Sequence, residues 1–184
     1  MLYNSISYGD AWHIVSSAVF GTTLILMYLA STLYHAAKDP ELKKKLRVMD
    51  HSAIFLLIAG SYTPFALVSL RESWGPHLLI AVWSIGVFGV YRKLQPKNHT
   101  KNGSLPLYLL MGWLAILAIK PMIDALSTHG LYWLVAGGVV YTAGVGFYVM
   151  KQRFMHAIWH LFVMGGSACH VMAVVHHVIP TGMP

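Results

Sequence analysis

The sequence predicts an all-α, polytopic membrane protein, and three properties of the chain lead to this prediction. Of the 184 residues, 57% are apolar and only 10% carry a charge. Soluble domains contain about a quarter charged residues, and disordered chains are poor in apolar ones, so both classes are excluded. A spanning helix needs roughly 20 residues, so a chain of this length holds about six or seven spans. We expect residues 1–184 to form one transmembrane domain.

Six apolar stretches are candidates for these spans. Each is close to the length that crosses the hydrocarbon core as a helix. The strict alternation of polar and apolar residues that is typical of barrel strands is absent, which argues against a β-barrel. The stretches cover approximately residues 11–37, 49–70, 76–91, 105–123, 131–150 and 156–179.

Basic residues cluster in every second connection between these stretches. Eleven of the thirteen Lys and Arg lie in the first, third and fifth connections, whereas Arg71 and Lys120 lie near the opposite side. The positive-inside rule predicts that the first group is cytoplasmic, so that both chain ends face outward. Because this topology accounts for the net charge of +7, the charge does not indicate a nucleic-acid partner. The eleven residues are Lys38, Lys43, Lys44, Lys45, Arg47, Arg92, Lys93, Lys97, Lys101, Lys151 and Arg153.

Two features predict details of the helices. Pro64 lies inside the second stretch and removes a backbone hydrogen bond, which predicts a kink there. Gly138, Thr142 and Gly146 share one face of the fifth helix, and small residues on one face permit close contact with a neighbouring helix.

Ionisable side chains at membrane depth are costly, so each one needs a reason. His35 comes three residues before Lys38, at the predicted cytoplasmic end of the first span. Asp50 opens the second span, and His156 and His160 open the last. Three separate spans therefore bring polar groups to the same predicted depth.

The spacing of these residues is compatible with a metal site. His156 and His160 are four residues apart and lie on one helical face, and Ser31 and His35 repeat that spacing on the first span. Such a pair with a third histidine gives three nitrogen ligands for Zn²⁺ and leaves the fourth position for water, which is the catalytic arrangement. Asp50 could bond that water or take its proton. The alternative is that these histidines only face lipid headgroups at the helix ends.

Three segments of the chain also resemble a known family. They are Ser31-Thr-Leu-Tyr-His35, the segment from Met49-Asp50 to Pro64-Phe65, and His156-Ala-Ile-Trp-His160. They look like the signature blocks of the hemolysin III family. That family is the bacterial branch of the progestin and adipoQ receptor group, which includes the adiponectin receptors.

The resemblance implies specific roles for these residues. His35, His156 and His160 would bind Zn²⁺ near the cytoplasmic face, Asp50 would contact the zinc-bound water, and Ser31 matches the serine of the motif. It also implies a bacterial inner membrane. The family has seven spans with a cytoplasmic N-terminus, so the first family span is expected to be missing from this chain.

Three functions of different classes remain open at this point. The first is a zinc-dependent intramembrane hydrolase of a lipid amide, such as a ceramide-like molecule, that enters from the inner leaflet, with Asp50 as base and Ser31 near the developing oxyanion. The second is a membrane-homeostasis regulator or receptor in which zinc only links helices. The third is the pore-forming, haemolytic activity that the family name implies, which six apolar helices with few interior charges do not favour.

Two further histidines receive weaker interpretations. His51 directly follows Asp50 and points about 100° away from it, so we expect it to face the headgroups. His170 lies ten residues beyond His160, which is roughly 15 Å along a helix and too far to share its metal. It could line a cavity or bond a neighbouring helix, and the structural role is favoured.

Overall fold

The computed structural model describes residues 1–95, 103–150, 152 and 154–180, apart from the side chains of His156 and Ala157. Helices make up 87% of it, and the described residues contain no β-strand, so the all-α prediction is confirmed. The α-helices of this part of the chain are α1 (Leu2–Tyr8), α2 (Ala11–Ala36), α3 (Pro40–Pro64), α4 (Gly75–Leu94), α5 (Leu105–Trp113), α6 (Ile119–Ala125), α7 (Thr128–Val149) and α8 (Met155–His177).

Among the described residues, six helical segments are long and apolar enough to cross a membrane, as predicted. Two of them contain an irregular turn. A π-helical turn, Phe65–Ser69, extends α3, and a 3₁₀ turn, Leu114–Ala118, joins α5 to α6. The six segments are Ala11–Ala36, Pro40–Ser69, Gly75–Leu94, Leu105–Ala125, Thr128–Val149 and Ile158–His177.

Helix α3 begins well before the predicted second span. The Asp39 carboxylate accepts a hydrogen bond of 2.7 Å from the Leu42 amide, and Pro40 occupies the start of the helix, where its missing N–H is not needed. The basic residues from Lys43 to Arg47 therefore lie in the first turns of α3 and not in a connection, so that part of the prediction was wrong. They still precede the apolar part of the helix, and the distribution of charge along the chain is unchanged.

Helix α4 likewise extends beyond the predicted third span. It continues to Leu94, so Arg92 and Lys93 lie in its last turn and not in the connection that we predicted. Cations are favourable at a helix C-terminus, where the carbonyl groups carry partial negative charge. The remaining basic residues of the third and fifth predicted connections, Lys97, Lys101, Lys151 and Arg153, lie outside the described residues.

The interruption of α3 occurs at the predicted proline. Its α-helical segment ends at Pro64, and the amide of Leu70 then donates to the carbonyl of Phe65, as in a π-helix. Proline has no N–H to continue the α-helical ladder, so a change of helix type at this position has a direct cause.

Helix α7 packs closely against α8, but through a different face from the one predicted. A Cβ atom added at Gly138 or Gly146 would meet no atom of the described residues within 4 Å, so these two glycines make no close contact with another described helix. A Cβ at Gly144 would instead lie 2.7 Å from Cβ of Phe162. Because α7 is apolar on all sides, its sequence does not show which face packs.

The centre of the bundle is formed around α3. This helix contacts α2, α4 and α5, and two thirds of its apolar segment are buried (67%), a larger share than in the other spanning helices of the described chain. Tyr62 fixes α3 to the break after α5, because its hydroxyl group donates to the carbonyls of Met111 and Gly112 and accepts from the amide of Ala115. The largest buried side chains include Phe20, Met27, Phe55, Phe65 and Met111.

Candidate functional site

Three helices carry the predicted site residues. Ser31 and His35 lie in the last turns of α2, Asp50 lies in α3, and His156 and His160 lie in the first turns of α8. Only residues 37–39 separate α2 from α3, so the end of α2 lies beside the start of α3. This arrangement brings residues that are far apart in the chain to one end of the bundle.

His35 and His160 face each other across the α2–α8 boundary. Their Nε2 atoms are 3.1 Å apart, and the ring centroids are 5.0 Å apart with the planes at 86°. The two residues are separated by 125 positions in the sequence, so only the tertiary fold can bring them together. Two imidazole nitrogens at this distance can share a hydrogen bond, or both can point their lone pairs at a common cation.

Asp50 is buried near this histidine pair. It is 1% exposed, and it is close enough to His160 for an electrostatic interaction. One carboxylate oxygen, Oδ2, lies 3.4 Å from Nδ1 of His51, whereas Oδ1 makes no hydrogen bond to the described residues. A buried carboxylate oxygen without a partner is costly, so its presence favours a functional role.

The structure gives less information on the two remaining predicted residues, His156 and Ser31. The backbone of His156 lies in the first turn of α8, but its side chain is outside the described residues. Ser31 is 7% exposed and lies one helical turn before His35. Among the side chains that the structure does describe, no three His, Cys, Asp or Glu groups converge as metal ligands. The zinc site therefore stays a prediction.

His51 does not face the headgroups, contrary to our expectation. It is 6% exposed, and its Nδ1 atom lies 2.8 Å from the carbonyl of Arg47. Its backbone carbonyl accepts a hydrogen bond of 2.7 Å from the Tyr108 hydroxyl, and its Nε2 atom is 3.5 Å from the Tyr148 hydroxyl. These contacts with α5 and α7 explain why the residue points inward, and they hold the start of the apolar part of α3 in place.

A cavity of about 130 Å³ lies inside the bundle beyond Asp50. Ile54, Ile58 and Ser61 line it, and they follow Asp50 along the same face of α3. The wall continues through residues of α2, α5, α7 and α8 and is mostly apolar. Such a cavity can hold a segment of an apolar chain, since an engineered apolar cavity of about 150 Å³ binds benzene.

Tyr108 and Tyr148 are site residues that the sequence did not reveal. Both line the cavity, and both are close enough to Asp50 for electrostatic interaction. They belong to α5 and α7, whose sequences have no histidine or carboxylate at the depth that we used to select candidates. Neither spacing nor hydropathy distinguishes them from tyrosines at the membrane interface.

The fold and this group of side chains define a class of protein. It is a multi-pass, α-helical integral membrane protein with imidazole and carboxylate side chains assembled from α2, α3 and α8 at one end of the bundle. The chain belongs to the haemolysin III-related family, because the model of that family matches residues 1–171. The family suggested by the three sequence segments is thus confirmed.

Curated relatives agree with this assignment. Hemolysin-3 of Bacillus cereus is 42% identical over 182 residues, which cover 98% of this chain and 83% of the relative. The Hemolysin-3 homolog of Bacillus subtilis (strain 168) is 44% identical over 174 residues, covering 94% of this chain and 82% of the relative. The human monocyte to macrophage differentiation factor is 31% identical over 177 residues, covering 90% of this chain and 71% of the relative. No solved structure matches the chain.

Proposed function

We propose that this protein is a zinc-dependent hydrolase of lipid amides that works at the inner leaflet of a bacterial cytoplasmic membrane. The observation that carries the proposal is the 3.1 Å approach of His35 Nε2 and His160 Nε2 beside the buried Asp50, whose Oδ1 atom has no hydrogen-bond partner in the part of the chain that the structure describes. Imidazole nitrogens are common zinc ligands, and a carboxylate oxygen that is not used by the protein is able to accept a proton.

The residues at this end of the bundle fit a zinc ion. His35, His156 and His160 would hold it, and three protein ligands are typical of catalytic sites, whereas structural sites usually have four. When it is bound in such a site, zinc acts as a Lewis acid and lowers the pKa of water to about 7.

The protein groups supply the other parts of the reaction. Asp50 accepts a proton from the attacking water and returns it to the nitrogen of the leaving amine, so that the C–N bond breaks to give a fatty acid and an amine. Ser31 donates a hydrogen bond to the carbonyl oxygen as negative charge develops there. The cavity beyond Asp50 binds a segment of the fatty acyl chain and keeps bulk water away from the amide.

The distribution of charge supports the inner leaflet as the location. The candidate site lies at the end of the bundle where α3 begins, and Lys43 to Arg47 form the first turns of that helix. Arg92 and Lys93 end α4 on the same predicted side. By the positive-inside rule this side is cytoplasmic. A lipid would reach the site laterally, with its head near the histidines and its chain in the cavity.

Fatty acid release from a defined lipid amide tests the proposal. The purified chain is incubated with C18 ceramide in detergent micelles, before and after removal of metal by a chelator and again after zinc is added back. We expect release by the untreated chain, its loss on chelation and its recovery with zinc. Release that is unaffected by chelation, or no release by zinc-loaded chain from ceramides of several chain lengths, would reject the proposal.

A second candidate function has one observation in its favour. The His35–His160 distance is itself a hydrogen-bond length, so the pair could simply join α2 to α8 in a regulator or receptor-like protein. In that case His35→Ala lowers the melting temperature in detergent, and no lipid amide is turned over by either form.

Two relatives carry the name Hemolysin-3, which refers to haemolysis, and a membrane pore is one way to cause haemolysis. The cavity described above has a mostly apolar wall and a volume of about 130 Å³, which does not favour a wide aqueous path. Ion flux through liposomes that persists when His35, His156 and His160 are all replaced by alanine would support a pore in place of the hydrolase.

A further inference from the structure

His170 borders the cavity and is its least satisfied polar side chain. Among the described residues, neither ring nitrogen has a partner within 3.5 Å, the Leu134 carbonyl interacts with the ring only weakly, and both nitrogens are covered by surrounding atoms. The other polar side chains of the wall form hydrogen bonds within the protein, so they have no need of a ligand. These include Ser61, Tyr62, Tyr108, Trp113, Tyr141 and Thr142.

The surroundings of His170 make room for its imidazole ring. A Cβ atom at Gly137 would lie 2.3 Å from Cδ2 and 2.5 Å from Nε2 of His170, so only glycine leaves space for the ring there. The ring of Tyr141 lies edge-on at 5.4 Å between centroids, and its hydroxyl group bonds Ser167, which also accepts from Tyr28. Hydrogen-bonded polar side chains of α2, α7 and α8, namely Tyr28, Tyr141 and Ser167, thus lie close to the depth of His170.

The chemistry of a buried imidazole restricts the ligand that would satisfy it. A neutral imidazole, the form that an apolar interior favours, has one donor and one acceptor. A half turn of the ring about the Cβ–Cγ bond exchanges nitrogen and carbon positions, so each edge of the ring can carry a nitrogen atom. A hydroxyl group can both accept from and donate to such a ring, whereas a plain hydrocarbon chain can do neither.

We propose that the cavity selects a lipid whose chain carries a hydroxyl group, and that His170 binds this hydroxyl group. The inference rests on the proposed function, because it uses the cavity as the site of the acyl chain. His170 lies ten residues beyond His160 on α8, which is about 15 Å. An extended chain advances about 1.2 Å per bond, so the hydroxyl group belongs about twelve carbons from the amide.

Competition for the cavity tests this inference without any need for turnover. Trp113 and Trp159 line the cavity, so a ceramide with a 9,10-dibromooctadecanoyl chain quenches their fluorescence when it binds there. Ceramides with 12-hydroxyoctadecanoyl, 2-hydroxyoctadecanoyl or plain octadecanoyl chains are then compared as competitors. We expect the 12-hydroxy chain to displace the quencher at about tenfold lower concentration than the plain chain. A tenfold difference in affinity is what one buried hydrogen bond provides.

Two substitutions connect this preference to the imidazole ring. His170→Phe keeps an aromatic ring beside Tyr141 but has no hydrogen-bonding atom, so the preference for the 12-hydroxy chain should fall to about one while the plain chain binds as before. His170→Gln keeps a donor and an acceptor and should retain part of the preference. If His170→Phe does not fold, the 12-hydroxy and 2-hydroxy ceramides are compared on the unaltered protein. This comparison tests whether binding depends on the position of the hydroxyl group.

Three results would overturn the inference. They are equal displacement by the 12-hydroxy and plain chains, an equal advantage of the 2-hydroxy chain, and a preference that survives in His170→Phe. A purely structural role predicts instead that His170→Phe weakens all three competitors alike and lowers the melting temperature. Fatty acid release is followed separately, so loss of the hydroxyl preference and loss of hydrolysis are distinct outcomes.

Discussion

The two ends of the bundle each hold an aspartate beside a histidine, but the two aspartates are used differently. At one end Asp10 is exposed, and its Oδ1 atom accepts hydrogen bonds from the amides of Trp12, at 2.9 Å, and His13, at 3.1 Å. At the other end Asp50 is 1% exposed, and its Oδ1 atom has no partner among the described side chains and backbone groups. The aspartate of the pair therefore has hydrogen-bond donors for its Oδ1 atom at one end of the bundle and lacks them, among the described residues, at the other.

The difference shows where function is to be sought in this molecule. Asp10 caps α2, and the His13 side chain closes a reciprocal capping box with it, so its role in the fold is sufficient to explain it. Asp50 caps no helix, and its desolvation is not offset by hydrogen bonds to both oxygens. Burial without full hydrogen bonding, rather than the presence of His and Asp, distinguishes the candidate site.

The strongest test of this comparison is an isosteric change at the two aspartates. Asp50→Asn keeps the shape of the side chain but removes the base, so ceramide hydrolysis should fall by about 10²–10⁴-fold with the zinc content unchanged. Asp10→Asn keeps a good N-cap and should leave hydrolysis unaltered. Fatty acid release and metal analysis of both variants provide the measurement, and equal turnover of Asp50→Asn and the unaltered chain would remove Asp50 from the mechanism.

A second test concerns the packing that holds α8, and with it His160, in position. Gly144→Ala places a methyl group 2.7 Å from Cβ of Phe162 and should cost about 1–3 kcal/mol by overpacking, with partial loss of bound zinc. Gly146→Ala is the matched control, because an added Cβ meets nothing within 4 Å, and it should change stability by less than about 1 kcal/mol. Melting temperatures in detergent measure both. Equal destabilisation by the two substitutions would contradict the packing of α7 on α8.

The smallest expected effect is the pH dependence at Asp10. A hydrogen bond from the His13 amide holds the pKa of Asp10 below its ordinary value of 3.8. A group whose pKa is lowered by folding stabilises the protein above the ordinary value and loses that contribution as the pH falls through the lower, folded value. The difference in melting temperature between the unaltered chain and Asp10→Asn should therefore decline as the pH falls below 3.8. A difference that is undiminished at pH 2 would contradict this account of the cap.

Much of the fold followed from length and hydropathy, because a membrane restricts a spanning segment to an apolar helix of about 20 residues. The start of α3 did not follow from length and hydropathy. The lysines after Pro40 resemble those of a connection unless the helix cap at Asp39 is recognised. The packing face of α7 was also missed, because a helix that is apolar on all sides has no periodic signal. The rotation of α7 about its own axis is determined by the shapes of the packed side chains, and here by the space that Gly144 leaves for Phe162.

The candidate site was predictable in part for a different reason. Polar residues are rare in a membrane, so His35, Asp50 and His160 stood out by depth and spacing alone. The cavity and the tyrosines that line it depend on how five helices come together, and no local pattern records that arrangement. His51 was misplaced because its partners, Tyr108 and Tyr148, lie on other helices.

Metal content per chain tests the central claim most directly. Elemental analysis is made on detergent-purified protein expressed with zinc, for the unaltered chain, His35→Ala and His13→Ala. We expect about one zinc per chain in the unaltered protein, none in His35→Ala and about one in His13→Ala, whose histidine serves the complete cap at the other end. A folded, unaltered chain without zinc, or a His35→Ala variant that retains it, would contradict the claim that these histidines form a metal site.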